Sequence, residues 1–89
     1  MRLYKDRELK KLNWVVDIHD ENNKQIGKWG IQEKTIFEWL AYLTEEVGEL
    51  SKAISEHYYR IGRKEEIKGE AIQVATLALK IAEMTSEEE

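Results

Sequence analysis

The chain of 89 residues contains no cysteine and no proline, and these two absences narrow its possible folds. Without cysteine there are no disulfides and no thiolate metal sites, which fits the reducing cytoplasm, where we expect the protein to be. Without proline, no helix is interrupted by the residue that disfavours helices most. The five glycines fall mostly where helices could end. The composition therefore predicts an all-α fold.

Long hydrophobic runs and an excess of positive charge are also lacking. The apolar runs are only a few residues long, so we expect no membrane span, and residues 1–5 lack the apolar core of a signal peptide. The formal net charge of −4 disfavours binding to a nucleic acid polymer. We expect one domain over residues 1–89, with 1–5 and 85–89 frayed. Because so short a chain buries little surface, we also expect it to associate with copies of itself.

What the chain does contain is three segments with helical periodicity. The first runs from about Asp6 to Gln25, and polar residues of low helix propensity interrupt its apolar pattern around Asn22. We predict one long helix that continues to Lys28, and a break near Asn22 is the alternative. The positions that recur at spacings of three and four are Leu9, Leu12, Val15 or Val16, His19 and Ile26.

The second segment has the clearest pattern. Thr35 and Glu38 have the spacing of a capping box, which predicts a helix that begins after Thr35. We expect the helix to end near Tyr59 or Arg60, with Gly62 as its C-terminal cap. Its apolar residues repeat in steps of four and three, the period of a buried helical seam: Ile36, Leu40, Leu43, Val47, Leu50 and Ile54.

The third helix is predicted to start around Arg63 or Lys64. The short turn before it makes it an antiparallel neighbour of the second helix. We therefore predict an all-α chain of three helices, in which the second and third form a four-helix-bundle core on oligomerisation. The apolar stripe of the third helix comprises Ile67, Ala71, Val74, Ala78 and Ile81, widened by Leu77 and Met84.

Acidic side chains lie beside these apolar stripes. Glu46 and Glu49 are three residues apart on the second helix, and Glu70 and Gln73 have the same spacing on the third. On antiparallel neighbours, these pairs come level and make a site of four oxygen-bearing side chains. Clustered carboxylates repel unless a cation neutralises them, and Mg²⁺ takes oxygen ligands that substrate phosphates often complete. The pattern therefore predicts metal-assisted attack of water on a phosphoanhydride. The alternative is a solvated glutamate-rich surface.

The residues Leu43-Thr44-Glu45-Glu46-Val47-Gly48-Glu49-Leu50 resemble the signature of MazG-like proteins, a family of the all-α nucleoside triphosphate pyrophosphohydrolase superfamily. The family pattern is E-E-x-x-E, followed after a variable gap by E-x-x-D. Lys28-Trp29-Gly30-Ile31-Gln32 is also similar to an element that one subgroup carries before this helix. The resemblance extends over residues 14–84.

The resemblance implies hydrolysis of a nucleoside triphosphate to the monophosphate and pyrophosphate, with Mg²⁺, on an oligomeric helical bundle. Carried over by position, Glu46, Glu49 and Glu70 would be catalytic residues and metal ligands. Gln73 stands where the family has aspartate. Its carbonyl oxygen can bind Mg²⁺, but it carries no charge and cannot act as a base. Glu66, one turn before Glu70, is a hypothetical replacement for the missing charge.

Lysines and aromatic residues near the motifs are candidates for substrate binding. Lys28 and Lys34 flank the loop before the second helix and could contact phosphates, although most lysines only increase solubility. Trp29, Trp39 and Tyr42 could stack on a nucleobase, and the last two share the Glu46 side of their helix. Packing at a subunit interface is the alternative role for these rings.

Three functions are compatible with these features. The first is a Mg²⁺-dependent nucleotide pyrophosphohydrolase that works as a homodimer or homotetramer. The second is a catalytically weak or inactive MazG-like assembly module that binds a nucleotide or a protein partner. The third is an unrelated helical hairpin whose apolar seam pairs with another protein.

Overall fold

The computed structural model describes residues 2–9 and 13–86, and these residues form three α-helices and no strand. The helices are α1 (Trp14–Trp29), α2 (Ile36–Tyr59) and α3 (Lys64–Ser86). The predicted all-α, three-helix chain is confirmed. Within the described ranges, no helix has the length and apolar character that a membrane span requires.

The start of α1 differs from the prediction. Residues 6–9 are not helical, so the predicted beginning near Asp6 is wrong, and residues 10–12 lie outside the described part of the chain. The N-terminal segment instead reaches the end of α2, where the Tyr58 hydroxyl donates to the Tyr4 hydroxyl over 2.9 Å. As predicted, α1 continues without a break past Asn22. It ends at Trp29 and is capped by Gly30, whose φ of 73° favours glycine and whose N–H donates to the Ile26 carbonyl.

The start of α2 is the predicted capping box. The Glu38 N–H donates to Thr35 Oγ1 over 3.2 Å, and the Thr35 N–H donates to Glu38 Oε1 over 3.1 Å. Two backbone donors at the helix N-terminus are thereby satisfied, and the hydrogen bond from the Thr35 backbone lowers the pKa of Glu38. This cap fixes where α2 begins, and hence which of its side chains face α3.

The turn between α2 and α3 is short because a glycine lets the backbone come close to the helix end. The Gly62 N–H donates to the Glu56 carbonyl over 3.1 Å. A Cβ added at Gly62 would lie 2.9 Å from the Glu56 carbonyl carbon. The predicted bounds of the turn are confirmed, but the C-terminal cap of α2 is Arg60 and not the predicted Gly62. The glycine is required by this close approach, because Gly62 does not adopt a positive φ.

The three helices pack through α3. The turn makes α2 and α3 antiparallel neighbours, and α1 packs against α3 but not against α2. Lys68 lies over the ring of Trp14 at 5.3 Å, and Lys80 Nζ donates to Gln25 Oε1 over 2.9 Å. These two contacts follow the same order along both helices, so α1 and α3 run parallel. A gap remains between α1 and α2, with α3 as its floor.

The face of α2 that packs on α3 is not centred on the predicted seam. Trp39 and Ala53 are buried, and Leu43, Glu46 and Leu50 are half-buried. Within one chain the predicted seam is only partly buried, and four of its members are 42–52% exposed: Ile36, Leu40, Val47 and Ile54. The apolar stripe is wider than one helix contact, and the pattern alone does not show which part of it faces α3.

The exposed apolar residues of α2 and α3 lie on the same side of the hairpin. Leu40 follows the inward-facing Trp39 by one residue, and Ala78 follows the buried Leu77 by one residue. One residue rotates a helix position by about 100°. Because the helices are antiparallel, the two rotations point to the same side. We call this surface the apolar face; it comprises Ile36, Leu40, Val47 and Ile54 of α2 with Ala71 and Ala78 of α3.

Candidate metal and nucleotide site

Two half-buried glutamates, Glu46 of α2 and Glu70 of α3, face each other where these helices pack. The Oε2 atom of each is buried and has no hydrogen-bond partner. Burial first, and then the nearby Glu70 carboxylate, raises the pKa of Glu46 above its ordinary value of about 4.5. Buried charged oxygens without partners are costly, so this pair requires neutralisation.

Two kinds of positive charge can neutralise the pair. Ionised carboxylates are acceptors only, so neither glutamate can satisfy the other while both are ionised. A proton on Glu46 allows a hydrogen bond to Glu70, which contributes to the raised pKa of Glu46. A bound cation would satisfy both oxygens at once without protonation.

Beside this pair lies a cleft of about 230 Å³, which we call the acidic cleft. Glu49, Glu70 and Gln73 all line it, so α2 and α3 have the predicted register at these positions. Glu66, the hypothetical replacement for the missing charge, lines it too. Within residues 2–9 and 13–86, however, no three histidine, cysteine or acidic side chains converge closely enough to hold one metal ion. The remaining lining residues are Lys52, Ala53, Glu56 and Gly69.

A larger cleft of about 780 Å³ occupies the gap between α1 and α2. We call it the aromatic cleft, because Trp29, Trp39 and Tyr42 line it. The ring centroids of Trp39 and Tyr42 are 6.1 Å apart, with the rings tilted by 59°. Glu46 and Gln73 line this cleft as well, and Gln73 therefore borders both clefts. The aromatic cleft has the size of a small-molecule site.

The two predicted phosphate-binding lysines differ in position. Lys28 lines the aromatic cleft, with Nζ 4.7 Å from the centroid of the Trp29 ring. Lys34 does not line either cleft. Its Nζ lies 5.3 Å from the centroid of the Tyr42 ring, so it contacts the cleft only through that side chain. The structure thus brings four of the predicted residues to one cleft, and Lys34 contacts only the ring of one of them, Tyr42. The four are Trp29, Trp39, Tyr42 and Lys28.

Sequence reasoning did not identify Lys80, which lines the aromatic cleft from α3. Lys80 is half-buried, and burial lowers its pKa although the nearby Glu21 raises it. A signal was present, because Lys80 follows Gln73 by seven residues and so lies on the same face of the helix. Gln25 and Asn22 also line the cleft, but nothing in the sequence pattern places α1 against this part of α3.

Comparison of the chain with models of protein families finds no match. Comparison with curated protein sequences and with solved structures also finds no match. The chemistry of the two clefts and the resemblance of the motifs are therefore the observations that bear on function.

Proposed function

We propose that this protein is a MazG-like, Mg²⁺-dependent pyrophosphohydrolase that cleaves a nucleoside triphosphate to the monophosphate and pyrophosphate. The observation that carries the proposal is the pair Glu46 and Glu70, which face each other with one buried, unpartnered oxygen each. The pair lies beside both the acidic cleft and the aromatic cleft. Neutralisation of the two carboxylates by a cation would place positive charge where a polyphosphate could enter.

The residues of the acidic cleft fit a hard cation such as Mg²⁺. Glu49 and Glu70 offer carboxylate oxygens and Gln73 an amide oxygen, while Glu46 lies beside the cleft, facing Glu70. When bound, Mg²⁺ would supply charge that stabilises the phosphates and polarises water. Since no three carboxylates converge on one point among the described residues, the ion would keep several waters or draw these side chains together.

The protein's own groups account for the remaining chemistry. In the proposed reaction, water attacks one phosphorus, the bond from that phosphorus to a bridging oxygen breaks, and pyrophosphate leaves. Glu46 lines the aromatic cleft, and its carboxylate could accept the proton that the water loses. The rings of Trp39 and Tyr42 provide a stacking surface for a nucleobase, and Trp29 and Lys28 lie across the cleft on α1.

A second copy of the chain is the proposed occupant of the apolar face. The face presents four large apolar side chains, each 42–52% exposed, on one side of the hairpin. Apolar surface of this kind is favourably removed from water, and pairing two α2–α3 hairpins gives a four-helix core. The protein would then be a homodimer, or a homotetramer formed from two such pairs.

A second candidate function is a catalytically weak or inactive module that retains the fold and binds a nucleotide or a protein partner. Gln73 favours this alternative because it stands in place of a charged ligand. The absence of three converging acidic side chains in the described ranges favours it too.

The experiment that distinguishes the two is an assay of pyrophosphate release over a panel of ribo- and deoxynucleoside triphosphates, with and without millimolar MgCl₂. We expect Mg²⁺-dependent turnover that is lost in Glu49→Gln and in Glu70→Gln. Glu45→Gln is the matched control, because Glu45 belongs to the same motif but is exposed and lines neither cleft. Absence of turnover by the wild type at high enzyme concentration, or activity that appears only in Gln73→Asp, would establish the inactive module instead.

A further inference from the structure

Lys80 carries a positive charge into the wall of the aromatic cleft, where the nearby Glu21 attracts it. Its Nζ donates one hydrogen bond, to the neutral Gln25 Oε1 at 2.9 Å. Among the described residues, it forms no ion pair with a carboxylate. An ammonium group has three donors, so at least two remain for another acceptor. Charges that are removed from water are normally paired, so a half-buried lysine whose free donors no carboxylate contacts is a candidate to bind an anion that enters the cleft.

The position of Lys80 fits a particular kind of anion. Lys80 follows Gln73 by seven residues on α3, which places it about 10 Å further along the same helix face. Both residues line the aromatic cleft, together with Glu46. An anion held at Lys80 therefore shares one cleft with Glu46, and Glu21 and Glu83 also line that cleft. A nucleotide is a ligand that can extend between Lys80 and Glu46.

We propose that the Lys80 ammonium group binds a phosphate group of the nucleotide in the aromatic cleft, and that Gln25 positions it. The inference deepens the proposed function, since it rests on a nucleotide being the ligand. The Gln25 side chain is oriented by a second hydrogen bond, in which its Nε2 donates to Glu21 Oε2 over 3.4 Å. The chain of contacts from Glu21 through Gln25 to Lys80 directs the ammonium group from α3 towards α1.

A purely structural role is the competing explanation, because the Lys80–Gln25 hydrogen bond also joins α1 to α3. The substitution Lys80→Gln separates the two roles. A glutamine amide is one bond shorter than the lysine side chain but keeps N–H donors that point towards α1, and it has no positive charge. The matched control is Lys68→Met, which removes another α1–α3 contact, the one with Trp14, at a position outside both clefts.

The test is calorimetric titration of the full chain with the α,β-imido analogues of nucleoside triphosphates, in which the bond to be cut is replaced, in the presence of MgCl₂. For the analogue that the wild type binds best, we expect about tenfold weaker binding by Lys80→Gln, the effect of a lost charge-assisted hydrogen bond. Lys80→Arg should recover part of the affinity, and Lys68→Met should bind within about twofold of the wild type.

Binding by Lys80→Gln that equals wild-type binding would overturn the inference, as would an equal loss in Lys68→Met. No binding of any analogue by the wild type would overturn it too. These results are independent of the pyrophosphate assay. Turnover with no role for Lys80 would remove this inference and leave the proposed function. Lys80-dependent binding without turnover would leave this inference, remove the proposed hydrolase and favour the inactive module.

Discussion

Glu46 and Glu70 face each other across the contact between α2 and α3, and each has a buried carboxylate oxygen that no donor contacts. Helix packing therefore holds two like charges close together, in a place where a hydrophobic pair would stabilise the fold more. Such an arrangement is typical of a site whose stability depends on what binds there.

Replacement of one glutamate by its neutral amide should stabilise the metal-free protein. In Glu46→Gln, the repulsion is removed and the new amide can donate to Glu70, so we expect a gain of about 1 kcal/mol. For a domain of this size, that gain raises the melting temperature by about 4–8 °C. Thermal unfolding in EDTA measures it. Added MgCl₂ should stabilise the wild type and have less effect on the variant. An equal gain in the exposed neighbour Glu45→Gln would mean that net charge, and not the pair, is responsible.

The same pair makes stability depend on pH in a defined direction. The pKa of Glu46 is raised in the folded state, so between about pH 4.5 and that raised value the folded state binds more protons than the unfolded state. Stability from this group is present at low pH and is lost as the pH rises through the window. Urea unfolding without metal, from pH 4 to 8, should show the wild type losing stability relative to Glu46→Gln. A difference that is constant over this range would contradict the prediction.

Addition of a charge at Gln73 should strengthen cation binding. Gln73 borders both clefts, and Gln73→Asp adds a carboxylate beside Glu70. We expect about tenfold tighter binding of Mg²⁺, measured by calorimetric titration, together with lower stability in EDTA because the repulsion grows. Asn23→Asp is the control, since Asn23 is exposed and lines neither cleft. Unchanged affinity in Gln73→Asp would place the cation elsewhere.

The apolar face predicts the effect of a charge on self-association. Val47 and Leu79 are equally exposed, at 48%, but only Val47 belongs to the apolar face. We expect Val47→Lys to give a monomer in light scattering or sedimentation, while Leu79→Lys keeps the wild-type mass. A monomeric wild type would contradict the proposed pairing of two copies through this face.

The α2–α3 turn should tolerate no side chain at its glycine. In Gly62→Ala, the new methyl group would lie within 3.0 Å of the Glu56 backbone, and we expect a loss of about 1–3 kcal/mol. In Gly48→Ala, nothing lies within 4 Å of the added methyl, and helix propensity should give a gain of about 0.5–1 kcal/mol. Chemical denaturation of both glycine variants measures these two changes in the free energy of unfolding. Equal effects would mean that backbone entropy, and not the close approach, controls the turn.

Local signals in the sequence predicted the local structure well. The capping box at Thr35 and Glu38, the glycine after α2 and the short turn each depend on residues close together in the chain, so the bounds of α2 and the start of α3 could be read from the sequence. The start of α1 could not, because the segment before it is held by Tyr58, which lies far away in the sequence. Periodicity likewise located an apolar stripe on α2 but could not tell which part of it packs on α3.

In the candidate site, too, the residues placed by local helix spacing were predictable and those placed by long-range packing were not. The spacing of Glu46, Glu49, Glu70 and Gln73 follows from two helices joined by a short turn, and the structure brings these residues to adjoining clefts. Lys80 and Gln25 were not foreseen, since their meeting depends on how α1 lies along α3. That arrangement is a long-range contact with no spacing rule.

Because α1 rests on α3 and not on α2, the three helices leave one side of a triangle open. A helix supported along a single edge is the part of the molecule that detaches at least cost, so its amides should exchange with deuterium sooner than those of α3, which has neighbours on two sides. A compound wedged between α1 and α2 would complete the triangle. As a ligand occupies the aromatic cleft, α1 would become more rigid, and slower amide exchange in α1 would report that the cleft has been filled.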